Sequence, residues 1–244
     1  MSARLTLATA DRVLRQIRHD PRTVVLLVVV PCVLIGLLAW VYDGTPVFDQ
    51  IGAPLLGVFP FVVMFLVTSV ATLRERQSGT LERLLTMPLG KGDLIAGYAL
   101  AFGALAVVQA LVASGVAVWL LGLDVAGPIW LLVLVATVDA LLGTALGLLV
   151  SAFARSEFQA VQFMPVIVLP QFFLCGLLVP VDQMAGWLQA ISAVLPLTYA
   201  VEALQEVGRS TTATGTMWQD IAIVAGAALL ALALAAGTLR RRTR

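Results

Sequence analysis

Asp139 stands in the middle of an otherwise uncharged run, residues 128–151, made of branched and small apolar side chains. A carboxylate surrounded by hydrocarbon is costly, so an acid in such a run is by default a candidate for function. It could hold a cationic ligand or exchange a proton. It could equally accept a hydrogen bond from a hydroxyl on a neighbouring helix, and Thr137 and Thr144 are close in sequence. Gln109, Gln162 and Gln171 sit in other apolar runs and pose the same choice between a ligand contact and an interhelical hydrogen bond. Met164, Phe172 and Phe173 could line an apolar cavity, or simply meet lipid and core. Gly143 and Gly147 form a G-x-x-x-G that would let two helices approach closely.

The longest polar stretch between apolar runs is 74–93, and it offers a different chemistry. Ser78 or Thr80 can cap a short helix. Leu81, Leu84 and Leu85 then share one face, Glu82 and Arg83 fall elsewhere, and Pro88 ends the helix. A short amphipathic helix of this kind suits a groove on another protein, or a bed of lipid head groups. The stretch is no phosphate loop. That motif needs G-x-x-x-x-G-K-[ST], whereas Gly90-Lys91 is followed by Gly92, and Leu85 occupies the first glycine position. Cys32 and Cys175 both lie in apolar runs, as small buried hydrophobes do, and neither has metal-site spacing. His19, the single histidine, lies in a basic stretch before Pro21.

The elements that must carry these residues follow from composition. The chain has 244 residues, 60% hydrophobic and 12% charged, where a soluble domain carries about 25% charged residues. That deficit and the long uncharged runs predict an all-α integral membrane protein with six transmembrane helices, over about 23–42, 51–73, 94–121, 128–151, 158–181 and 221–239. Each covers the roughly 20 apolar residues that a crossing needs. Residues 23–42 are too long for a typical signal-peptide core and lack a small-x-small site, so they are expected to remain as the first span. Residues 1–20 read as an N-terminal interfacial helix with Leu7, Ala10, Leu14 and Ile17 on one face. Asp20-Pro21 should end it.

Charge sets the orientation. Fourteen of the fifteen basic residues fall on one side of this threading, and Arg209 is the exception. The positive-inside rule makes that side cytoplasmic, with both termini and the 74–93 stretch. A seventh apolar run, 183–201, breaks the parity if it crosses. With Gly186 and Pro196 inside it, it is expected to enter from the outer face and return, as a re-entrant segment of about 183–205 between spans five and six.

The string RERQSGTLERLLTMPLGKGDLIAGYALAF resembles the region between the second and third spans of ABC-2 type transporter permeases. Glu75, then Gly79-Thr80-Leu81-Glu82, the pair Leu84-Leu85 and Pro88 carry the likeness. A second string, GLLVPVDQMAGWLQAISAVLPLTYAVEAL, is similar to the outer re-entrant region of that family, through Pro180, Trp187-Leu188 and Leu195 to Tyr199, with Pro196 among them. The closest flavour is the drug-resistance branch, similar to daunorubicin-type permeases. The resemblance covers nearly the whole chain and implies a single ABC-2 type transmembrane domain over 1–244. It assigns to Ser78–Met87 the role of a coupling helix against an ATPase.

The resemblance further implies a non-enzymatic permease of the bacterial cytoplasmic membrane. Two cytoplasmic ATPase subunits would carry ATP and Mg, and a second permease copy or related chain would complete the pathway. Export of an amphipathic or hydrophobic small molecule suits the apolar spans, with a lipid or lipid-linked glycan as the second substrate class. No feature points to nucleic acid. An ion-coupled carrier would need more intramembrane charge than Asp139 supplies, and a non-transporting membrane anchor is the remaining alternative.

Overall fold

The computed structural model of the chain describes residues 3–78 and 90–238, and every regular element among them is helical. In chain order these are α1 (Ala3–Arg18), α2 (Pro21–Val41), α3 (Val47–Gln77), α4 (Lys91–Gly115, continued by one wider turn over Val116–Leu120), α5 (Ile129–Ser151), α6 (Glu157–Leu174), a 3-10 turn (Val181–Gln183), α7 (Gly186–Ser192), α8 (Pro196–Arg209) and α9 (Gly215–Thr238). Six of them, α2, α3, α4, α5, α6 and α9, are long and apolar enough to cross a membrane. The chain is a multi-pass membrane protein.

The centre of the bundle is the α3–α5 pair. In the most apolar stretch of each helix, 72% of α3 and 61% of α5 is buried, against 22% of α2, 17% of α6 and 28% of α9. Small residues make the contact possible. Gly143 lies directly against the carbonyl of Phe61, and a Cβ on Gly147 would stand 2.6 Å from the Phe65 oxygen. The G-x-x-x-G of α5 is thus used within the chain. At the end that carries α1 the core is filled by Val13, Ile17, Leu27, Met64, Leu94, Tyr98 and Phe102. At the far end it is filled by Ile35, Phe48, Leu56, Leu131, Leu204 and Met217.

Several boundaries differ from the sequence expectation. Helix α3 has 31 residues, about 46 Å at 1.5 Å per residue, so Arg74–Gln77 belong to the helix and not to a loop. Helix α6 stops at Leu174, seven residues before the expected end. Pro170 has already removed one donor, and Gly176 turns the chain with φ of 84°. The last span starts at Gly215 instead of 221. Thr214 accepts from the Met217 N–H at 3.2 Å and donates to Glu206, which builds a helix start ahead of the apolar run.

Helix α1 ends at Arg18, just before the Asp20-Pro21 pair, as that pair predicts; in addition Asp20 caps α2 and Pro21 takes its first helical position. Its inward face, however, is Thr6, Thr9, Ala10, Val13 and Ile17, while Leu7 is 62% exposed. The face rotates because α1 packs on α4. There Gly97 leaves room for Thr9, whose side chain would lie 2.6 Å from any Cβ at that position.

Between α6 and α9, helices α7 and α8 meet at 89°. The corner is fastened by polar side chains. Thr198 Oγ1 donates to the Ser192 carbonyl at 3.0 Å, Tyr199 donates to the Ala193 carbonyl at 2.7 Å, and Ser192 donates to the Leu174 carbonyl at 2.8 Å. Helix α8, opened by Pro196, buries Leu197, Val201, Leu204 and Val207.

Candidate functional site

Among the described residues, the C-terminal end of α3 gathers most of the polar contacts between distant parts of the chain. Four consecutive residues each hold a different partner. Arg74 pairs with Glu157 at the start of α6, Nε to Oε1 at 2.8 Å and Nη2 to Oε2 at 3.0 Å. Glu75 accepts both Arg12 Nη groups, at 3.2 and 3.0 Å, and the Tyr98 hydroxyl. Arg76 donates to the Ser151 carbonyl at the end of α5, and Gln77 donates to the Arg155 carbonyl at 2.9 Å. The geometry follows from the helix period. Residues 74–77 cover a full turn, so their side chains point to four directions around the axis.

The Arg12–Glu75 pair is the most enclosed of these. Glu75 is 6% exposed and the Arg12 side chain about a third exposed. The two-pronged guanidinium geometry is the strong form of this interaction. Ser78 closes α3 by donating from its hydroxyl to the Glu75 carbonyl at 3.0 Å. The chain re-enters at α4, where the Gly90 N–H donates to Asp93 at 3.2 Å and Thr6 of α1 donates to the same carboxylate at 3.4 Å. Helix α1 therefore grips both roots of the 79–89 segment, through Arg12 before it and Thr6 after it.

Of the residues singled out for coupling, Glu75 and Ser78 lie in this assembly. Gly79, Thr80, Leu81, Glu82, Leu84, Leu85 and Pro88 lie outside the described residues. Sequence reasoning missed Arg12, Thr6, Tyr98 and Glu157. The available signal was a lone acid, Glu75, at the end of a long apolar helix between two arginines.

Asp139 is wholly buried between α3 and α8, and neither carboxylate oxygen has a hydrogen-bond partner. A Cβ on Gly57 would stand 3.0 Å from Asp139 Oδ2 and 2.5 Å from Leu204 Cδ1. The hydroxyl expected nearby, Thr144, donates instead to the Ala140 carbonyl at 3.1 Å. Gln109 is also buried with both amide atoms unpaired, whereas Gln171 donates to the Ile167 carbonyl at 3.1 Å. Gln162 faces outward, and Met164 and Phe172 are half-buried.

At the far end two adjoining clefts, of about 710 and 330 Å³, share Gln50 of α3 with Gln205 and Arg209 of α8. None of Asp139, Gln109, Gln162, Met164, Gln171 and Phe172 lines either cleft. Pro180 borders the larger one, while Trp187 is 68% exposed on α7, with Leu188 half-buried beside it. Arg209 had stood out in the sequence only as the exception to the charge rule.

The chain is 25% identical over 167 residues to the probable multidrug ABC transporter permease YbhR of Escherichia coli strain K12, which is 68% of this chain and 45% of the relative. It is 28% identical over 180 residues to the linearmycin resistance permease protein LnrN of Bacillus subtilis strain 168, covering 72% and 46%. It is 26% identical over 159 residues to the ABC transporter G family member 20 of Dictyostelium discoideum, covering 65% and 22%. It thus spans less than half the length of these curated relatives. Residues 4–207 match the family described as ABC-2 type transporter. That stretch takes in α1, both roots of the 79–89 segment and the α7–α8 corner, and the chain belongs to the ABC-2 type transporter family.

Proposed function

We propose that the chain is the permease subunit of an ATP-driven exporter. It would carry an amphipathic or hydrophobic small molecule out across the bacterial cytoplasmic membrane. The observation that carries this reading is the double grip of α1 on the roots of the 79–89 segment, through Arg12–Glu75 and Thr6–Asp93. A segment meant to receive force from another protein has to be rooted in a stiff frame, and a tethered loop over lipid does not. Residues 78–87 are the proposed docking helix for the ATPase, which supplies ATP and Mg chemistry, since no phosphate-loop motif is present in this sequence.

The positive-inside rule places that helix, α1 and both termini in the cytoplasm, and α7–α8 then form a re-entrant corner at the outer face. Two ATPase subunits and a second permease copy or related chain complete the machine, because six helices with few polar groups leave little room for a conduit within one copy. Asp139, Gln109, Gln162, Met164, Gln171 and Phe172 are the proposed pathway candidates. The multidrug and linearmycin-resistance names of two relatives favour a drug-like cargo over a lipid-linked glycan.

The test is co-expression with a candidate ABC-type ATPase from the same genome, followed by affinity capture through the permease. The expected result is co-purification of an active ATPase, with Glu82→Ala plus Leu84→Ala lowering the captured amount at least five-fold while the permease stays monodisperse. An ATPase that never co-purifies, together with transport that survives ATP depletion, would reject the reading in favour of an ion-coupled carrier.

A further inference from the structure

Helix α2 turns most of its surface away from the bundle. It buries only Leu27, Pro31, Ile35 and Gly36. On the opposite side Leu26, Val29, Val33, Leu37 and Trp40 are exposed. With exposed Arg22 at their head, these positions recur at steps of three and four and so share one helix face. From Arg22 to Trp40 that face runs about 27 Å at 1.5 Å per residue, against about 30 Å of hydrocarbon. The arginine and the tryptophan therefore stand at opposite interfaces, and the apolar positions between them lie at the depth of acyl chains.

The arginine end is the elbow between α1 and α2. Arg18 closes the last turn of α1, Arg22 lies in the first turn of α2, and Asp20 between them makes the cap. The charges nearby are largely committed. Arg12 pairs with Glu75, Arg15 with Asp11, and Arg74 with Glu157. Asp20 accepts the backbone N–H groups of Arg22 and Thr23 and the Thr23 hydroxyl. The guanidinium groups of Arg18 and Arg22 have no ion-pair partner among the described residues, and both side chains are exposed.

Two free guanidinium forks at head-group level, above an apolar lane, match a phosphodiester with acyl chains below it. We propose that the α1–α2 elbow binds an anionic phospholipid, its phosphate held by Arg18 and Arg22 and an acyl chain lying along Leu26, Val29, Val33 and Leu37. The lipid supplies the counter-charge that the chain does not. A zwitterionic head group fits less well, because the one carboxylate between the arginines, Asp20, is occupied by the cap. The same charges disfavour a second copy on this face. Copies related by an axis along the membrane normal meet at equal depth and would set one pair of arginines against the other.

Binding at the elbow needs neither ATP nor a partner protein. Of the function proposed above it uses only the sidedness, which decides the leaflet and not the head group. The test is native mass spectrometry of the full-length permease in detergent, titrated with phosphatidylglycerol or phosphatidylethanolamine of the same acyl chains. The expected result is at least five-fold tighter binding of the first phosphatidylglycerol. Arg18→Gln with Arg22→Gln should bring that preference below two-fold; the cap survives, since Arg22 gives it only a backbone N–H. Arg18→Lys with Arg22→Lys should keep at least half of the preference. Arg4→Gln with Arg209→Gln, which removes the same charge elsewhere, should leave it unaltered. Equal binding of the two lipids by the parent, or an equal loss in the Arg4 and Arg209 pair, overturns the site.

In nanodiscs, phosphatidylglycerol with a diazirine in its acyl chain maps the lane. It should cross-link to residues 24–37 at least three-fold more than to α6, which is buried even less than α2. Should the glutamine pair fail to give a monodisperse protein, this map of the parent decides, and no enrichment on α2 overturns the proposal. A disulfide between two copies of Val29→Cys, in a background with Cys32→Ala and Cys175→Ala, formed in place of the lipid cross-link, would give the face to a second copy and overturn it as well.

Discussion

Gly147 and the carbonyl of Phe65 are packed so closely that a methyl group on Gly147 would stand 2.6 Å from the oxygen. One turn away Gly143 meets the Phe61 carbonyl in the same manner. The partner atom in both cases is backbone, which cannot swing aside. Gly147→Ala is therefore expected to cost about 1–3 kcal/mol through overpacking, and Gly147→Leu to prevent assembly of the α3–α5 pair. Thermal unfolding in detergent, followed by fluorescence-detected size exclusion, measures both. Gly226→Ala on α9, where nothing lies within 4 Å, should leave the melting temperature unchanged. A Gly147→Leu protein that melts like its parent would contradict the packing.

Asp139 has no partner for either oxygen. Its side chain contributes an unsatisfied buried group, which costs about 1–3 kcal/mol. Leucine has the same number of side-chain heavy atoms. Asp139→Leu is therefore expected to melt at or above the parent temperature, while export falls if the acid lies on the pathway. The informative measurement is the pair of values. A more stable variant with full export would mean that Asp139 is not a pathway residue.

Asp20 caps α2 by accepting the Thr23 hydroxyl at 2.7 Å and the Arg22 N–H at 3.2 Å. The Thr23 hydroxyl bond holds the Asp20 carboxyl below its ordinary value of 3.8; burial opposes it, and the backbone donors of Thr23 and Arg22 and the charge of Arg74 act in the same direction as Thr23. A carboxylate with a lowered folded-state pKa stabilises the fold above its unfolded value, and this contribution disappears as pH falls through the folded one. Melting temperature should thus decline with acidification below about pH 4, and Thr23→Val should weaken that slope. An identical pH profile in Thr23→Val would remove Asp20 from the account.

The sidedness argument is open to labelling in intact cells. Cysteines at Thr45 and Gly215 should react with an impermeant maleimide from outside, and cysteines at Ser78 and position 242 only after permeabilisation. External reactivity at position 242 would make the 183–201 run a true crossing.

Much of the architecture was legible locally. The six long helices were visible as apolar runs, and the break at Asp20-Pro21 as the backbone restriction on a residue before proline. The start of α9 was misjudged because it depends on a polar side chain, Thr214 against Glu206, that acts across a turn in space, and the end of α6 because the apolar run continues past the Gly176 turn that stops the helix.

Hydropathy along the chain was enough to specify the number of long helices and the two stretches that resemble the family, while charge supplied the expected orientation. These properties are sums over neighbours in sequence. Which face of each helix turns inward was decided only by the tertiary structure. Lipid tails are as apolar as a protein core, so a spanning helix needs no inward apolar stripe and its pattern carries little sign of facing. Gln171 points in and Gln162 out within one such helix. Arg12 looked like a surface charge until the fold brought Glu75, 63 positions away, within 3.0 Å of it.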